Sequence, residues 1–472
     1  MTVHPFFVKG IAHSSYLVGG DERCAVIDPR RDVEVYVEAA RDLGLRITHI
    51  LETHLHADFV SGHVELARLT GARIYAPRNA RCRFDHVPLA EGDAFRLENM
   101  RFSVLETPGH TPEHISYVVT NLHRGKEPAA VFCGDTLFVG DVGRPDLFPG
   151  QAESLALKLH DSLFGKLLAL PDHCEVYPAH GAGSLCGKAI SDKRSSTIGY
   201  ERRYNTVLRI GDRKAFVRAL TVGMPPAPDH FARCSEINRR GPAPVADLPP
   251  LEEWEPAAFA RKAAAEGAVV VDVRPYDAFG GQHVPGAVSL DLAGNFATFA
   301  GWIIPPGADI YLVGRDRAET AEAAVWLRRV GLDRVRGSLA GGLPAWVKAG
   351  LPASHAPQVS APELRRMIAR KERLTVVDVR APGEFAAGHI AGAINIPAPD
   401  LRTRSAGLRK DRPLVLLCSS GNRSSLGASL LLRRGFKDVR NLAGGTTGWA
   451  AAGPGARGLT RLRRRTKKEE RP

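Results

Sequence analysis

Two histidines and an aspartate alternate with other residues in Thr53-His54-Leu55-His56-Ala57-Asp58-Phe59, so one tight turn can aim all three side chains into a single pocket. Imidazole and carboxylate together are a donor set for a transition metal. Phe59, directly after the aspartate, has no ligand atom. Further donors follow downstream: His110 in Pro108-Gly109-His110-Thr111, Asp135 in Cys133-Gly134-Asp135-Thr136 and His180 in Tyr177-Pro178-Ala179-His180-Gly181. A single histidine in a turn is usually structural. Several ligand-type residues, each at the end of an apolar run, point instead to a metal site.

A second chemistry lies near the other end of the chain. Leu416-Leu417-Cys418-Ser419-Ser420-Gly421-Asn422-Arg423-Ser424 reads as a strand, a polar loop and the start of a helix over 426–434. A cysteine opening such a loop sits in a cradle of backbone N–H groups at the positive end of a helix dipole, and Arg423 adds a full charge. Both effects favour the thiolate and make the thiol reactive.

The elements that must position these groups follow from apolar periodicity. Residues 24–28, 47–52, 73–76, 102–107, 129–133 and 175–177 read as strands and 32–43 as a helix. Strand ends that feed a metal site suit a two-sheet αββα sandwich. A Pro-rich passage over 222–256 reads as a boundary. Beyond it the chain repeats: Val271-Asp272-Val273-Arg274 recurs as Val377-Asp378-Val379-Arg380, and Gly286-Ala287-Val288 as Gly392-Ala393-Ile394, both 106 residues on. Each copy closes with paired glycines and a tryptophan, Gly341-Gly342 with Trp346 and Gly444-Gly445 with Trp449. Two copies make tandem α/β domains, each with a buried parallel sheet, rather than a solenoid. The first copy has Gly314 where the second has Cys418, so it has no thiol at that place.

THLHADFVSGH, TPGHTPEH, FCGDT and YPAHG resemble the metallo-β-lactamase fold and, within it, the persulfide dioxygenase branch. The resemblance implies one Fe(II) held by His54, His110 and Asp135, two histidines and a carboxylate that leave open positions for substrate and O2. His56, Asp58 and His180 then orient ligands or handle protons. The usual pattern carries a histidine where Phe59 stands, which weakens a second metal site. Gly143-Arg144-Pro145-Asp146 resembles the branch's Gly-Arg-Thr-Asp stretch and implies Arg144 near the thiol's carboxylates; an ion pair with Asp141 or Asp146 is the alternative. Cys186 is either a pocket thiol or a buried inert one.

The Cys418 loop, with its upstream VDVR and GHIAGAINIP, resembles the rhodanese (sulfurtransferase) domain. That implies Cys418 as the carrier of sulfane sulfur, with Ser419, Gly421, Asn422 and Arg423 around the bound sulfur species. The five-residue step from Cys418 to Arg423 favours sulfur over phosphate. The expected organisation is a dioxygenase domain over 1–225, a linker over 226–256, a rhodanese-like domain without its cysteine over 257–353, the Cys418 domain over 358–455, and a basic tail over 456–472.

At 472 residues, with 44% hydrophobic and 24% charged residues, the chain has room for about three globular domains. No charged stretch followed by an apolar core opens it, and no apolar run nears the roughly 20 residues that span a bilayer, so the expectation is a cytoplasmic protein with no membrane partner. Seven cysteines without a CxxC pair argue against a disulfide framework or a structural zinc. The net charge of +13 is spread out except in the tail, where seven Lys/Arg between Arg461 and Arg471 face Glu469 and Glu470. The tail reads as a solvated terminus rather than an RNA or membrane contact, and the diffuse charge would draw small anions toward a pocket.

The two halves together predict oxidation of a low-molecular-weight thiol persulfide by O2 to sulfite and thiol, coupled to sulfane-sulfur transfer that makes or uses thiosulfate. The rivals are a dinuclear zinc thioester hydrolase of the glyoxalase II type and a sulfur-sensing interaction protein. Which thiol serves, the direction of transfer and the oligomeric state, homo-oligomer included, are not written in the sequence.

Overall fold

The computed structural model describes residues 1–224 and 226–453. The chain folds as two compact units, Met1–Pro249 with Val325–Asp333, and the remainder from Pro250 onward. The tail 456–472 lies outside the described residues.

The first unit is the αββα sandwich. One six-stranded sheet runs Thr2–Val8, His13–Gly19, Arg23–Ile27, Arg46–Leu51, Arg73–Pro77, Val87–Leu89; the other runs Ser196–Thr197, Glu175–Pro178, Ala130–Gly134, Ile115–Asn121, Met100–Glu106, Ala94–Leu97. Strand alternation explains the layers. In His13–Gly19, Tyr16 and Val18 enter the core between the sheets with Ile27, Phe102, Tyr117 and Phe132, whereas Leu17 points outward under the helices. Those helices, Glu34–Asp42 and His63–Thr70, cover one outer face, and Ala152–Gly165 with Arg213–Thr221 cover the other.

The expected linker is corrected by the structure. Residues 226–256 contain the helix His230–Arg240, which buries Phe231, Cys234 and Asn238 on one face and belongs to the first unit. Its buried face at i, i+3 and i+7 forms between the flanking prolines, which end at Pro228 and resume at Pro242.

The second unit holds two five-stranded, all-parallel sheets with one shared strand order: Glu253–Trp254, Val335–Leu339, Asp309–Val313, Ala268–Asp272, Val288–Ser289, and Gln358–Val359, Val439–Leu442, Leu414–Leu417, Thr375–Asp378, Ile394–Asn395. The repeated Asp-Val-Arg is structural. Asp272 and Asp378 are buried, each pairs with the arginine two residues on at 2.6 Å, and those arginines also reach the carbonyls of Gln282 and Gly388. Among the described residues no helix is long and apolar enough to cross a membrane.

Candidate metal centre and sulfur-transfer loop

The strand Arg46–Leu51 ends beside Asp28, which fixes the start of the histidine loop. Asp28 accepts from the Thr53 N–H and the Thr53 hydroxyl, both at 2.8 Å. With its proton committed, that hydroxyl accepts from His54 Nδ1 at 2.9 Å, so the lone pair of His54 sits on Nε2. His110 is set the same way: Nδ1 donates to the Arg144 carbonyl at 2.9 Å and leaves Nε2 as the acceptor. Asp135 Oδ2 lies 3.2 Å from His110 Nε2 and 3.9 Å from His54 Nε2. All three side chains are buried, and among the described residues His110 Nε2 and Asp135 Oδ2 have no hydrogen-bond partner.

Burial pulls the His54 and His110 pKa values below the ordinary range and keeps both rings neutral. Burial works against the Asp135 charge, yet His180, His110 and His54 together hold that carboxyl well below its usual range. Lone pairs facing each other in a dry pocket need a cation between them, so these three residues fit a metal ion. The sequence-expected ligands thus converge on one point.

The other loop residues are engaged elsewhere. His180 spans two carboxylates, Nδ1 to Asp135 Oδ1 at 2.7 Å and Nε2 to Asp58 Oδ2 at 2.9 Å. Burial opposes its charge, but Asp135 and Asp58 raise its pKa well above normal and favour the imidazolium. His56 Nε2 turns to Asp28 at 3.3 Å. Phe59 is fully buried between them, its ring 4.1 Å from His13 and 4.5 Å from His56. His56, Asp58 and His180 nonetheless hold ligand atoms within 4.8 Å of one another, as do Asp135, His180 and Cys186.

Several contributors escaped the sequence reading. Asn238 donates to the carbonyls of His56 and Phe59 at 2.8 and 2.9 Å and accepts from Ser61 N–H at 2.8 Å, so the helix His230–Arg240 clamps the loop. His114, its pKa lowered by burial to about 3, accepts from the Asp135 N–H at 3.0 Å. His13 is buried with both ring nitrogens unpartnered. Only a polar residue on an otherwise apolar helix face marked Asn238 in advance.

Arg144 forms one of the two arrangements its sequence context allows, the ion pair. It is 1% exposed and grips Asp146 through two 2.7 Å bonds while donating to the Leu185 carbonyl. The two residues are close enough in the chain to close a bidentate pair. The cavity beside the metal loop, about 480 Å3, is lined by Leu55, Ala57, Phe148 and Phe231 together with Arg81, Glu113, Glu236 and Arg239. Cys186 is buried, and burial pushes its thiol well above the ordinary range.

In the second unit Leu417 pairs with Asp378 in register, and Cys418 follows at the strand's end. Cys418 Sγ receives the Gly421 N–H at 3.1 Å and the Ser424 hydroxyl at 3.4 Å. Arg423 pairs with Glu384 at 2.6 and 2.8 Å and reaches Ser419 Oγ at 2.8 Å. The Arg423 bond drives the Glu384 pKa down to about 2. In the first repeat, Gly314 follows Val313 at the matching strand end, and a side chain there would meet Thr320 Cγ2 at 2.7 Å.

Comparison with known proteins agrees with this anatomy. The metallo-beta-lactamase superfamily model matches residues 8–180, and the rhodanese-like domain model matches 255–349 and 360–452. A hydroxyacylglutathione hydrolase from Pseudomonas entomophila (strain L48) is 32% identical over 221 residues, 46% of this chain and 80% of its own length. A metallo-beta-lactamase structure from Staphylococcus aureus subsp. aureus COL is 30% identical with a TM-score of 0.64, covering 72% of this chain and 98% of that one. The structure of ETHE1 from Myxococcus xanthus is 29% identical with a TM-score of 0.45, covering 51% and 98%. The chain belongs to the metallo-beta-lactamase superfamily and continues into two rhodanese-like domains.

Proposed function

We propose that the protein oxidises the terminal sulfur of a low-molecular-weight thiol persulfide in the cytoplasm, using O2 and one Fe(II) at His54, His110 and Asp135. Persulfide, O2 and water give thiol, sulfite and protons. Cys418 carries sulfane sulfur as a persulfide and exchanges it with sulfite or another acceptor, so that thiosulfate is made or used.

One observation carries the reading. Two neutral imidazole nitrogens and one carboxylate oxygen converge, while His56 and His180 are bound to Asp28, Asp58 and Asp135 and Phe59 adds no ligand. Two histidines and a carboxylate suit a single Fe(II) with open positions, and bound there it would supply the activation of O2 and of the persulfide sulfur. The chain's own groups do the rest. Thr53 and the Arg144 carbonyl lock the imidazole tautomers, and His180 steadies Asp135 and holds protons at Nδ1 and Nε2. The cavity beside the loop offers the persulfide an apolar surface at Leu55, Ala57, Phe148 and Phe231.

Zinc-dependent thioester hydrolysis is the second reading, supported by the likeness to hydroxyacylglutathione hydrolase and by the His56, Asp58 and His180 grouping. Metal content after anaerobic purification, followed by O2 uptake on adding a thiol persulfide, separates the two. One iron per chain with rapid uptake is expected. Two zinc per chain and no uptake would replace the dioxygenase reading with hydrolysis.

A further inference from the structure

The domain that lost its cysteine still borders the sulfur-transfer loop. A cleft of about 310 Å3 is walled on one side by Ser289, Asp291, Asn295 and Phe299, and on the other by Asn422 and Arg423 of the Cys418 loop. The two walls are fixed to one another. Ser289 Oγ lies 2.9 Å from Ser425 Oγ, and Ser289 N–H donates to Ser429 Oγ at 3.1 Å. The Tyr276 ring covers Gly421, whose φ of 122° and crowded Cα admit no side chain. Gly421 in turn donates to Cys418 Sγ, so the first repeat packs on a residue that touches the thiol.

The charge in this cleft is unexpected for a site built around anions. Arg423, on the cleft wall, is paired bidentately with Glu384. Asp291, half-buried, accepts the Ala293 N–H at 2.9 Å and forms no ion pair among the described residues. A dianion such as sulfite therefore meets a carboxylate, whereas an acceptor bearing an ammonium group meets a partner.

We propose that the Gly314 domain is the acceptor-selecting wall of the transfer site, and that Asp291 pairs with the ammonium group of an aminothiol that takes sulfane sulfur from Cys418. The inference rests on the sulfur-transfer reading of Cys418. The aminothiol's thiolate attacks the outer sulfur of the Cys418 persulfide. A new S–S bond forms as the bond to Sγ breaks, and the electron pair leaves on Sγ, where the Gly421 N–H and Ser424 hydroxyl receive it. The outer sulfur keeps its proton, nothing is oxidised overall, and the product is a thiol persulfide of the class proposed for the metal centre.

The test uses the full chain preloaded with thiosulfate and discharged by cysteine, by mercaptopropionate (the same skeleton without the amine), by sulfite or by cyanide. Cysteine should exceed mercaptopropionate in kcat/KM by roughly tenfold or more, the worth of one charged hydrogen bond. Asp291→Asn keeps the turn's hydrogen bond to Ala293. It should erase that preference and improve discharge by the anions sulfite and cyanide. An unaltered preference, or an equal fall for all four acceptors, overturns the role of Asp291. Failure of cyanide to discharge the unsubstituted protein would instead remove the Cys418 reading beneath it, and the inference with it.

Discussion

Asn238 holds the backbone at Phe59, its side-chain amide donating to the Phe59 carbonyl at 2.9 Å across 179 residues of sequence. The same amide group serves His56 and Ser61, so three backbone groups of the metal loop depend on one buried side chain. Asn238→Ala leaves those groups unpaired in a dry place, at a cost of about 3 kcal/mol. A lowered melting temperature and reduced metal occupancy are expected together. An unchanged melt with full occupancy would show that the loop is held by other contacts.

The two chemical centres should separate by mutation. Asp135→Ala removes the carboxylate that faces both His54 and His110, so O2 uptake on a thiol persulfide is lost while thiosulfate-to-cyanide sulfur transfer persists. Cys418→Ser does the reverse, since the hydroxyl cannot carry sulfane sulfur. Equal loss of both activities in either variant would sink the assignment of one chemistry to each centre.

Glu384 gives a pH signature. Its folded pKa, lowered to about 2 by the Arg423 bond, lies below the unfolded carboxylate value, so the pair contributes its full stability above that unfolded value. That contribution fades as the pH falls through the acidic range toward about 2. The melting-temperature difference between the unsubstituted protein and Glu384→Gln should therefore be flat from neutral pH down to about 5 and shrink below about 4. Because the pair is partly exposed, the difference should be small throughout. A gap that widens on acidification would contradict the sign.

How much of this could be read beforehand depended on whether a group's partner lay nearby in the chain. His54, His110, Asp135 and Cys418 each close an apolar strand, so local pattern placed them, and the repeated VDVR announced two parallel sheets. Asn238 acts on a loop far upstream, and the prolines around its helix disguised the 231, 234, 238 spacing as linker. His13 sits in a strand where every residue is buried, so periodicity could not mark it. Arg144 and Arg423 were visible as charges, but whether a charge meets a substrate or a carboxylate is decided by packing. Arg144 packs on Asp146 and Arg423 on Glu384.

Gly143 offers the sharpest test of the metal geometry. A side chain there would collide with the backbone carbonyl of Asp135 and stand 3.0 Å from His110 Cβ, wedged between two of the three proposed ligands. Backbone cannot rotate aside as a flexible side chain does, so Gly143→Ala must push Asp135 and His110 apart. Displacing the groups that orient ligands costs about tenfold or more in metal affinity, and that loss should appear in a competition titration against a chelator. Gly165→Ala is the control, since a side chain there meets nothing within 4 Å. Unchanged affinity in Gly143→Ala would mean that Asp135 and His110 do not share one ion.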